Sequence, residues 1–212
     1  MHEAGTNVTD GLFRARRVAT IVFQGVDVFA SHAAVTRRRR YVSFMAIRAS
    51  EHERHDYAAR LVWTGARDGP TRSYQSYSRE HEVQSGDRPP LHLSADPHFR
   101  GDATLYNPEE LLVISLSSCH LLSYLAECAR GGVRVLAYED DAAGVMTMRE
   151  GKLRFAEVVL RPRVTVAPET NLDRARELHH RAHDDCYIAN SVNFPVRHEP
   201  TIVVAEPARD LA

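Results

Sequence analysis

The chain has 212 residues, of which 43% are apolar and 26% are charged, and its formal net charge is −1 at pH 7. This profile suits one globular domain, or one domain with a tail, and we see no uninterrupted apolar run of the ~18 residues that a membrane span needs. Three cysteines are too few for a secreted disulfide framework, so we expect a cytoplasmic protein whose thiols are reduced.

The first 50 residues carry a strong positive charge. Eight arginines oppose three acidic residues there, which gives +5 and leaves −6 for the remainder. The run Arg37–Arg40 could bind a nucleic acid or a membrane surface. It lacks the interleaved aromatic side chains of single-strand binders, so we expect a solvated extension over residues 1–50 and neither partner. A signal peptide is not expected, because Gln24 and Asp27 interrupt the apolar stretch that follows Arg17.

From residue 51 the pattern becomes that of a folded domain. Alternating residues between Tyr57 and Trp63 predict a strand. Glycine and proline then turn the chain, and residues 73–78 predict the returning strand. Residues 84–105 are rich in Pro, Gly, Asp and His and predict a long loop, of a length that is often functional.

A strong helix start follows at Asn107. Asn107 can cap the helix, Pro108 suits its first position, and Glu110 stands where a capping box places its acid. The residues that follow are apolar or small nearly all round the helix, which indicates a buried helix. It is predicted to end at Gly131-Gly132 after ~33 Å and to run through the centre of the domain.

Four strands that form an antiparallel meander, a second helix and a last strand are predicted further along the chain, over residues 133–138, 144–148, 153–160, 163–166, 172–185 and 201–204. Strands interrupted by two helices, without βαβ alternation, predict an α+β domain over residues 51–212.

Cys119 lies in the predicted central helix, ten residues after Glu109. A buried cysteine is commonly an inert packing residue. Its neighbours Ser117, Ser118 and His120 are small or polar for the middle of an apolar helix, however. They leave space for a substrate, and their hydroxyl and imidazole groups could steady a thiolate.

Cys186 follows the second predicted helix, where we expect an exposed and mobile position. If the two helices pack together, Cys186 could approach Cys119 within the Cα separation of a disulfide, about 4.4–6.8 Å. Cys128 is nine residues after Cys119 and faces the opposite way, so we interpret it as packing. His179, His183 and Cys186 share one helical face and could alternatively bind a metal ion.

These landmarks resemble the OsmC/Ohr family, the osmotically inducible and organic-hydroperoxide-resistance proteins, over about residues 55–206. Four features carry the resemblance: the turn 64–69, the helix start 107–111, the Ser-Ser-Cys ending at Cys119, and His183-x-x-Cys186 followed by 188–191. The resemblance implies an OsmC-like α+β fold, with antiparallel sheets around a long buried central helix plus a second helix, and an intertwined homodimer.

The resemblance also implies an activity, the thiol-dependent reduction of organic hydroperoxides in antioxidant defence. It makes Cys119 the peroxidatic cysteine and Cys186 the resolving cysteine. It implies an arginine that pairs with the reactive sulfur and makes Glu109 the residue that holds this arginine. One branch of the family places the arginine at Arg67, and another places it near Arg100. An external dithiol would be the reductant, and no cofactor is expected.

Helix geometry bears on the oligomer, because Glu109 and Cys119 are about 15 Å apart along one helix axis. If both belong to one active centre, a second chain must supply its own Glu109, which fits the family's dimer. Tyr187 stands where the family commonly has proline, so this chain looks like a divergent branch. A redox-silent OsmC-like ligand-binding protein and a metal-binding protein remain the alternatives.

Overall fold

The computed structural model of the chain describes residues 54–206, so the predicted N-terminal extension lies outside the described residues. Within this range nine strands and two α-helices follow one another: β1 (Arg60–Trp63), β2 (His81–Gln84), β3 (Leu91–Leu93), α1 (Pro108–Gly131), β4 (Val135–Asp140), β5 (Ala143–Arg149), β6 (Lys152–Leu160), β7 (Pro162–Val166), α2 (Leu172–Asp184), β8 (Val196–His198) and β9 (Thr201–Val204). The α+β class predicted from the sequence is confirmed.

The strands form three sheets of three strands each, in the orders β1-β2-β3, β4-β7-β9 and β5-β6-β8. The pairs β4/β7 and β5/β6 are antiparallel, whereas β8 joins β6 and β9 joins β7 in parallel. The predicted antiparallel meander is therefore wrong. The pair β5/β6 forms the inner part of one long hairpin and the pair β4/β7 its outer part. Where the two parts meet, the side chain of Asp140, at the end of β4, accepts a hydrogen bond from the backbone N–H of Arg161 at 2.7 Å.

The start of α1 has the predicted capping box. The side chain of Asn107 accepts a hydrogen bond from the backbone N–H of Glu110 at 2.8 Å, and the Glu110 carboxylate accepts one from the N–H of Asn107 at 3.1 Å. Pro108 occupies the first turn, and Gly132 ends the helix with a φ of 72°. The left-handed conformation at that position favours glycine, and the predicted helix end is confirmed.

The burial of α1 differs from the prediction. One face is buried and carries Leu116, His120, Tyr124, Glu127 and Cys128. On the opposite face large apolar side chains are exposed, among them Ile114, Leu122 and Leu125. The expectation of a helix buried all round is therefore wrong for the single chain, because the elements of one chain cover one face only.

By length and composition, α1 is able to cross a membrane, since it has 24 residues and a window of mean hydropathy 1.5. This window is not an uninterrupted apolar run, because it includes Ser117, Ser118 and His120. The core helix of a soluble protein meets the same criterion, however, and α1 packs against α2 with His120 and Glu127 among its buried residues. We therefore interpret α1 as the core helix of a soluble fold.

Two clusters of apolar side chains hold the helices to the sheets. The first lies between α1, α2 and β7 and includes Tyr124, Val164 and Leu178, all fully buried. The second joins Leu116 of α1 to Val158 of β6 and to the segment 188–196. Burying one such side chain stabilises the fold by about 1.5–3 kcal/mol. The second cluster also anchors the chain that follows α2, which matters for the site below.

The predicted strand at residues 73–78 is wrong, because this stretch forms turns and bends and β2 begins only at His81. Arg79 explains the difference. Its guanidinium lies 4.7 Å from the ring centre of Tyr74 and 3.9 Å from that of Tyr77, and it donates hydrogen bonds to the backbone carbonyls of both residues. These contacts fold the segment back on itself before the ladder with β1 begins.

Two strands were missed by sequence reasoning. The predicted loop 84–105 contains β3, and the residues before the last strand contain β8. Both strands have three residues, too few for a detectable alternation. Their conformation depends on pairing with β2 and β6, which lie elsewhere in the chain.

Candidate active site

Cys119 and Cys186 lie side by side. Cys119 is on α1 and is partly exposed, whereas Cys186 follows the end of α2 and is 1% exposed. The two side chains are in hydrogen-bonding contact, and both sulfurs are free thiols. The packing of α1 against α2 thus brings together the two cysteines that the sequence singled out.

The turn after α2 buries Cys186. The side chain of Asn190 donates to the backbone carbonyl of Asp184 at 2.8 Å, and its backbone N–H donates to the carbonyl of Cys186 at 3.0 Å. Ile188 and Ala189 pack into the cluster beneath α1. The expectation of an exposed and mobile Cys186 is therefore wrong, because the turn folds back and seals the cysteine against the core.

The surroundings of Cys186 keep it protonated at neutral pH. Burial raises the pKa of the Cys186 thiol to about 11, and the hydrogen bond with Cys119 acts in the same direction. The backbone N–H groups of Ile188 and Ala189 donate to the Cys186 sulfur and oppose this rise in part. A thiolate is the reactive form of a cysteine, so the partly exposed Cys119 is the better placed of the two for a first attack.

The neighbours of Cys119 on α1 are engaged elsewhere. The Ser117 hydroxyl donates a hydrogen bond to the carboxylate of Asp140 at the end of β4, and Nε2 of His120 lies 3.1 Å from Nδ1 of the buried His179. Successive residues of a helix point about 100° apart and do not face one another. The expectation that Ser117 and His120 steady a Cys119 thiolate is therefore wrong.

Cys128 is a packing residue, as predicted. It is 1% exposed and lies in the cluster around Tyr124 and Leu178. Burial raises the pKa of its thiol, and the neighbouring Tyr124 hydroxyl opposes this rise in part. An inert thiol in the core is the result.

Glu109 lies at a different part of the chain's surface. It is partly buried in the first turn of α1 and lines a cavity of about 830 Å³. The apolar wall of this cavity comprises Phe99, Tyr106, Val113, Ile114, Ala142, Met146, Leu153 and Phe155. Cys119 is not among the residues that line the cavity, so one chain does not bring Glu109 and Cys119 together.

The two candidate arginines differ in their contacts. Arg67 lies in the turn Gly65–Asp68, is 65% exposed in its side chain, and donates to the carboxylate of Glu80. Arg100 is exposed with a φ of 69° and directly follows Phe99, which lines the same cavity as Glu109. Arg100 is therefore the candidate next to the Glu109 cavity, whereas Arg67 has a carboxylate partner of its own.

Five histidines form a cluster beside the cysteine pair that sequence reasoning missed as a unit. His120 comes from α1, His179, His180 and His183 from α2, and His198 from β8. Desolvation by burial, together with the smaller effect of the neighbouring histidines, lowers the pKa of His120 to about 4, that of His179 to about 3 and that of His198 to about 4. His120 and His198 are far from the α2 histidines in sequence, and no spacing pattern links them.

The alternative metal site does not match this geometry. Nδ1 of His179 pairs with His120, the ring of His183 lies against that of His198, and the sulfur of Cys186 contacts Cys119. Among residues 54–206, no group of three or more His, Cys, Asp or Glu side chains is arranged to hold a metal ion.

Comparisons with known proteins place this geometry in a family. The family model described as OsmC-like protein matches residues 101–201. A solved OsmC-like protein of unknown function from Vibrio cholerae is 32% identical, with a TM-score of 0.65, and the match covers 70% of this chain and 100% of the other. No curated protein matches in sequence.

Two more distant structures share the fold. An organic hydroperoxide resistance protein from Elizabethkingia anophelis has 15% identity and a TM-score of 0.54, with 73% of this chain and 99% of the other covered. An organic hydroperoxide resistance protein from Legionella pneumophila has 15% identity and a TM-score of 0.53, with 70% and 96% covered. The 32% identity over the full length of the relative from Vibrio cholerae and the match of the family model show that the chain belongs to the OsmC-like protein family.

Proposed function

We propose that this protein is a thiol-dependent peroxidase that reduces organic hydroperoxides in the cytoplasm as part of the response to oxidative stress. Cys119 is its peroxidatic cysteine and Cys186 its resolving cysteine. The observation that carries the proposal is the contact between a partly exposed thiol and a buried thiol on two packed helices. One sulfur can meet a substrate, and the other is positioned to react with it.

The chemistry follows from these positions. The thiolate of Cys119 attacks one peroxide oxygen, an S–O bond forms, the O–O bond breaks, and the leaving alkoxide takes a proton and departs as an alcohol. Cys186 then attacks the sulfenic sulfur, water leaves, and a Cys119–Cys186 disulfide forms. An external dithiol reduces this disulfide by exchange and is itself oxidised to a disulfide.

We further propose that the active unit is a homodimer with shared sites. Glu109 and Cys119 are about 15 Å apart along one α1, too far for one hydrogen-bonded centre. The exposed apolar face of α1 offers a surface for a second copy. Glu109 of one chain then holds an arginine, Arg100 or Arg67, beside Cys119 of the other. A permanent positive charge at that place stabilises a thiolate.

A second candidate function is ligand binding without redox chemistry. The cavity of about 830 Å³ beside Glu109 has an apolar wall and a few polar groups, which is typical of a small-molecule site. The relative from Vibrio cholerae is itself of unknown function. Peroxide turnover separates the two candidates, because a redox-silent protein consumes no peroxide.

The first experiment measures peroxide consumption with dithiothreitol as reductant, with cumene hydroperoxide compared against hydrogen peroxide. We expect the organic substrate to react faster, because the wall of the Glu109 cavity is apolar. Cys119→Ser is expected to lower turnover about a thousandfold or more. Cys128→Ala is the matched control on the same helix and is expected to keep the parent rate. Full turnover by Cys119→Ser would contradict the proposal.

The resolving role has its own readout. Cys186→Ser is expected to complete one turnover and then to accumulate sulfinic or sulfonic Cys119. Mass spectrometry of the parent after peroxide is expected to show a Cys119–Cys186 disulfide. A disulfide that contains Cys128 would mean that the assignment of the two helix faces is wrong.

Mixed dimers test the shared site. A Cys119→Ser chain and a Glu109→Ala chain are each expected to be defective alone. Their heterodimer places both lesions in one site and leaves the other site intact, so isolated heterodimers are expected to regain up to about half the parent activity. Heterodimers as inactive as either homodimer would show that Glu109 acts within its own chain or has no role.

A further inference from the structure

The histidine cluster joins the two helices that carry the cysteine pair. His120 is the residue after Cys119 on α1, and its Nε2 lies 3.1 Å from Nδ1 of His179 on α2. The two rings are nearly parallel, with centroids 5.4 Å apart. His179 also stacks on Tyr124 of α1 with a centroid separation of 3.7 Å. Imidazoles therefore form a large part of the contact between α1 and α2 beside the thiols.

His198 of β8 is the centre of the cluster, because its ring contacts all four others. The centroid distances are 5.4 Å to His120, 6.3 Å to His179, 5.1 Å to His180 and 5.2 Å to His183. Imidazoles packed around one central ring are stable together only while most of them are neutral, since like charges at such distances repel strongly in a poorly solvated place.

Among residues 54–206, three buried nitrogens of the cluster have no hydrogen-bond partner: Nδ1 of His120, Nε2 of His179 and Nδ1 of His183. A proton added to an unpaired nitrogen would create a buried charge without an acceptor, which is costly. The cluster is thus stable while its buried imidazoles are neutral and strained when they are protonated.

The charged groups around the cluster give little compensation. Asp184 is the carboxylate that acts on the cluster, and it raises the pKa of His198 against the larger lowering by burial and by the neighbouring histidines. Tyr124 contributes a stacked ring and a hydroxyl that donates to the backbone of Ala175. Several charged residues near the cluster pair with residues outside it: Glu127 with Arg130 and Arg181, Arg197 with Glu157, and Glu199 with Arg161.

We propose that the histidine cluster is a pH-sensitive clamp that positions Cys186 against Cys119 while its members His120, His179 and His198 are neutral and releases α2 from α1 when they are protonated. The proposal rests on the proposed function for its biological meaning, since a released α2 separates the resolving thiol from the peroxidatic one. Acid then favours overoxidation of Cys119 over disulfide formation. The histidines act through the cysteines and are positioning residues.

The direction of the pH effect follows from linkage. A neutral clamp binds fewer protons than an open one, because a solvated histidine titrates near 6.5 and the buried ones titrate lower. Opening is therefore favoured as the pH falls below about 6.5. For one histidine whose pKa returns from about 4 to 6.5, the open fraction at pH 5 rises about thirtyfold over its value at pH 7.5.

The test follows the exposure of Cys186 and needs no peroxide, so its outcome is independent of the peroxidase proposal. In the full chain with Cys119→Ser and Cys128→Ala, Cys186 is the remaining thiol. The rate at which 4,4′-dithiodipyridine labels Cys186 is measured at each pH, since this reagent also reacts with thiols in acid. Each rate is divided by the rate for N-acetylcysteine at the same pH, which removes the intrinsic pH dependence of the reaction. We expect this ratio to rise at least about thirtyfold between pH 7.5 and pH 5.

His198→Phe in the same background keeps the stacked ring and removes the central titrating group. Between pH 7.5 and pH 5, we expect the labelling ratio of this variant to rise by a factor at least about ten times smaller than in the parent. His198→Gln provides a second variant if the phenyl ring does not pack. A flat ratio in the parent would overturn the proposal. So would an equal rise in the parent and in a folded His198 variant, because the opening would then have another cause.

Discussion

The two faces of α1 have nearly opposite surroundings although both are rich in apolar or small residues. On one face Tyr124 and Cys128 are almost completely buried against α2 and β7. On the other face Ile114 is 47% exposed and Leu122 is 64% exposed. Since a water-exposed apolar stripe on a core helix is unfavourable, the contrast indicates that the fold of one chain is complete on one side of α1 only. Cys119 lies on the flank between the two faces, as the 100° step per residue requires.

This difference separates what a single chain assembles from what the proposed homodimer would add. The cysteine pair is assembled within one chain by the packing of α1 on α2. Glu109 and its open cavity lie outside that assembly. We therefore expect changes on the buried face to affect stability, and changes on the exposed face to affect association and activity.

The largest effect is expected from Leu122→Glu on the exposed face. A charge there would have to be buried without a partner in the proposed dimer, so the dissociation constant should rise at least about 100-fold. Activity should fall with it, because each site then lacks Glu109 of the other chain. Analytical ultracentrifugation and peroxide turnover measure the two effects. Leu136→Glu, at another exposed leucine, is the control and should leave both unchanged. A dimeric Leu122→Glu protein would remove the contrast between the faces.

The second effect is the loss of stability in acid, which should come from the histidines on the buried side of α1. His120 and His179 have pKa values lowered to about 4 and about 3 by burial, so they are neutral in the folded state when the unfolded chain takes up protons. Stability is then complete above about pH 6.5 and is lost as the pH falls toward 4, by roughly 3–6 kcal/mol for the pair. Urea unfolding at successive pH values measures this slope. A constant free energy of unfolding between pH 6.5 and 4.5 would contradict it, since carboxylates titrate mainly below that window.

A core truncation on the buried side should cost somewhat less. Leu178→Ala removes a fully buried side chain between α2 and Tyr124, which should lower the free energy of unfolding by about 3 kcal/mol. Val145→Ala, at a half-exposed strand residue, is the comparison and should cost below about 1 kcal/mol. Chemical denaturation of both variants provides the measurement, and equal losses would show that the burial seen here does not govern stability.

The smallest effect is expected from Cys128→Ala. It removes one sulfur atom from the cluster around Tyr124 and should cost about 1 kcal/mol, with the peroxide rate unchanged. We expect the reverse pattern from Cys119→Ser, with activity lost and stability kept, which would distinguish the reactive cysteine of α1 from its packing cysteine. Loss of activity in a folded Cys128→Ala protein would mean that the buried thiol takes part in the chemistry.

Local sequence signals predicted the helices well because their causes are local. Asn107 and Glu110 form the capping box within four residues, Pro108 occupies the first turn, and Gly132 provides the left-handed end of the same helix. The short strands β3 and β8 had no such signal, and the strand predicted over residues 73–78 is absent because the contacts of Arg79 with two tyrosines bend this stretch. Pairing with β2 and with β6 decided β3 and β8, and three residues of sequence could not reveal it.

By itself, the sequence determined which thiols could matter. Cys119 beside small residues of α1, and Cys186 after α2, are recognisable from spacing and from the family's motifs. Only the tertiary structure decided how they differ, because burial and hydrogen bonding are properties of packed elements. The turn after α2 seals Cys186 and raises its pKa, while Ser117 and His120 turn to Asp140 and His179. The histidine cluster exists because α1, α2 and β8 converge there, and that convergence depends on contacts between residues up to 78 positions apart.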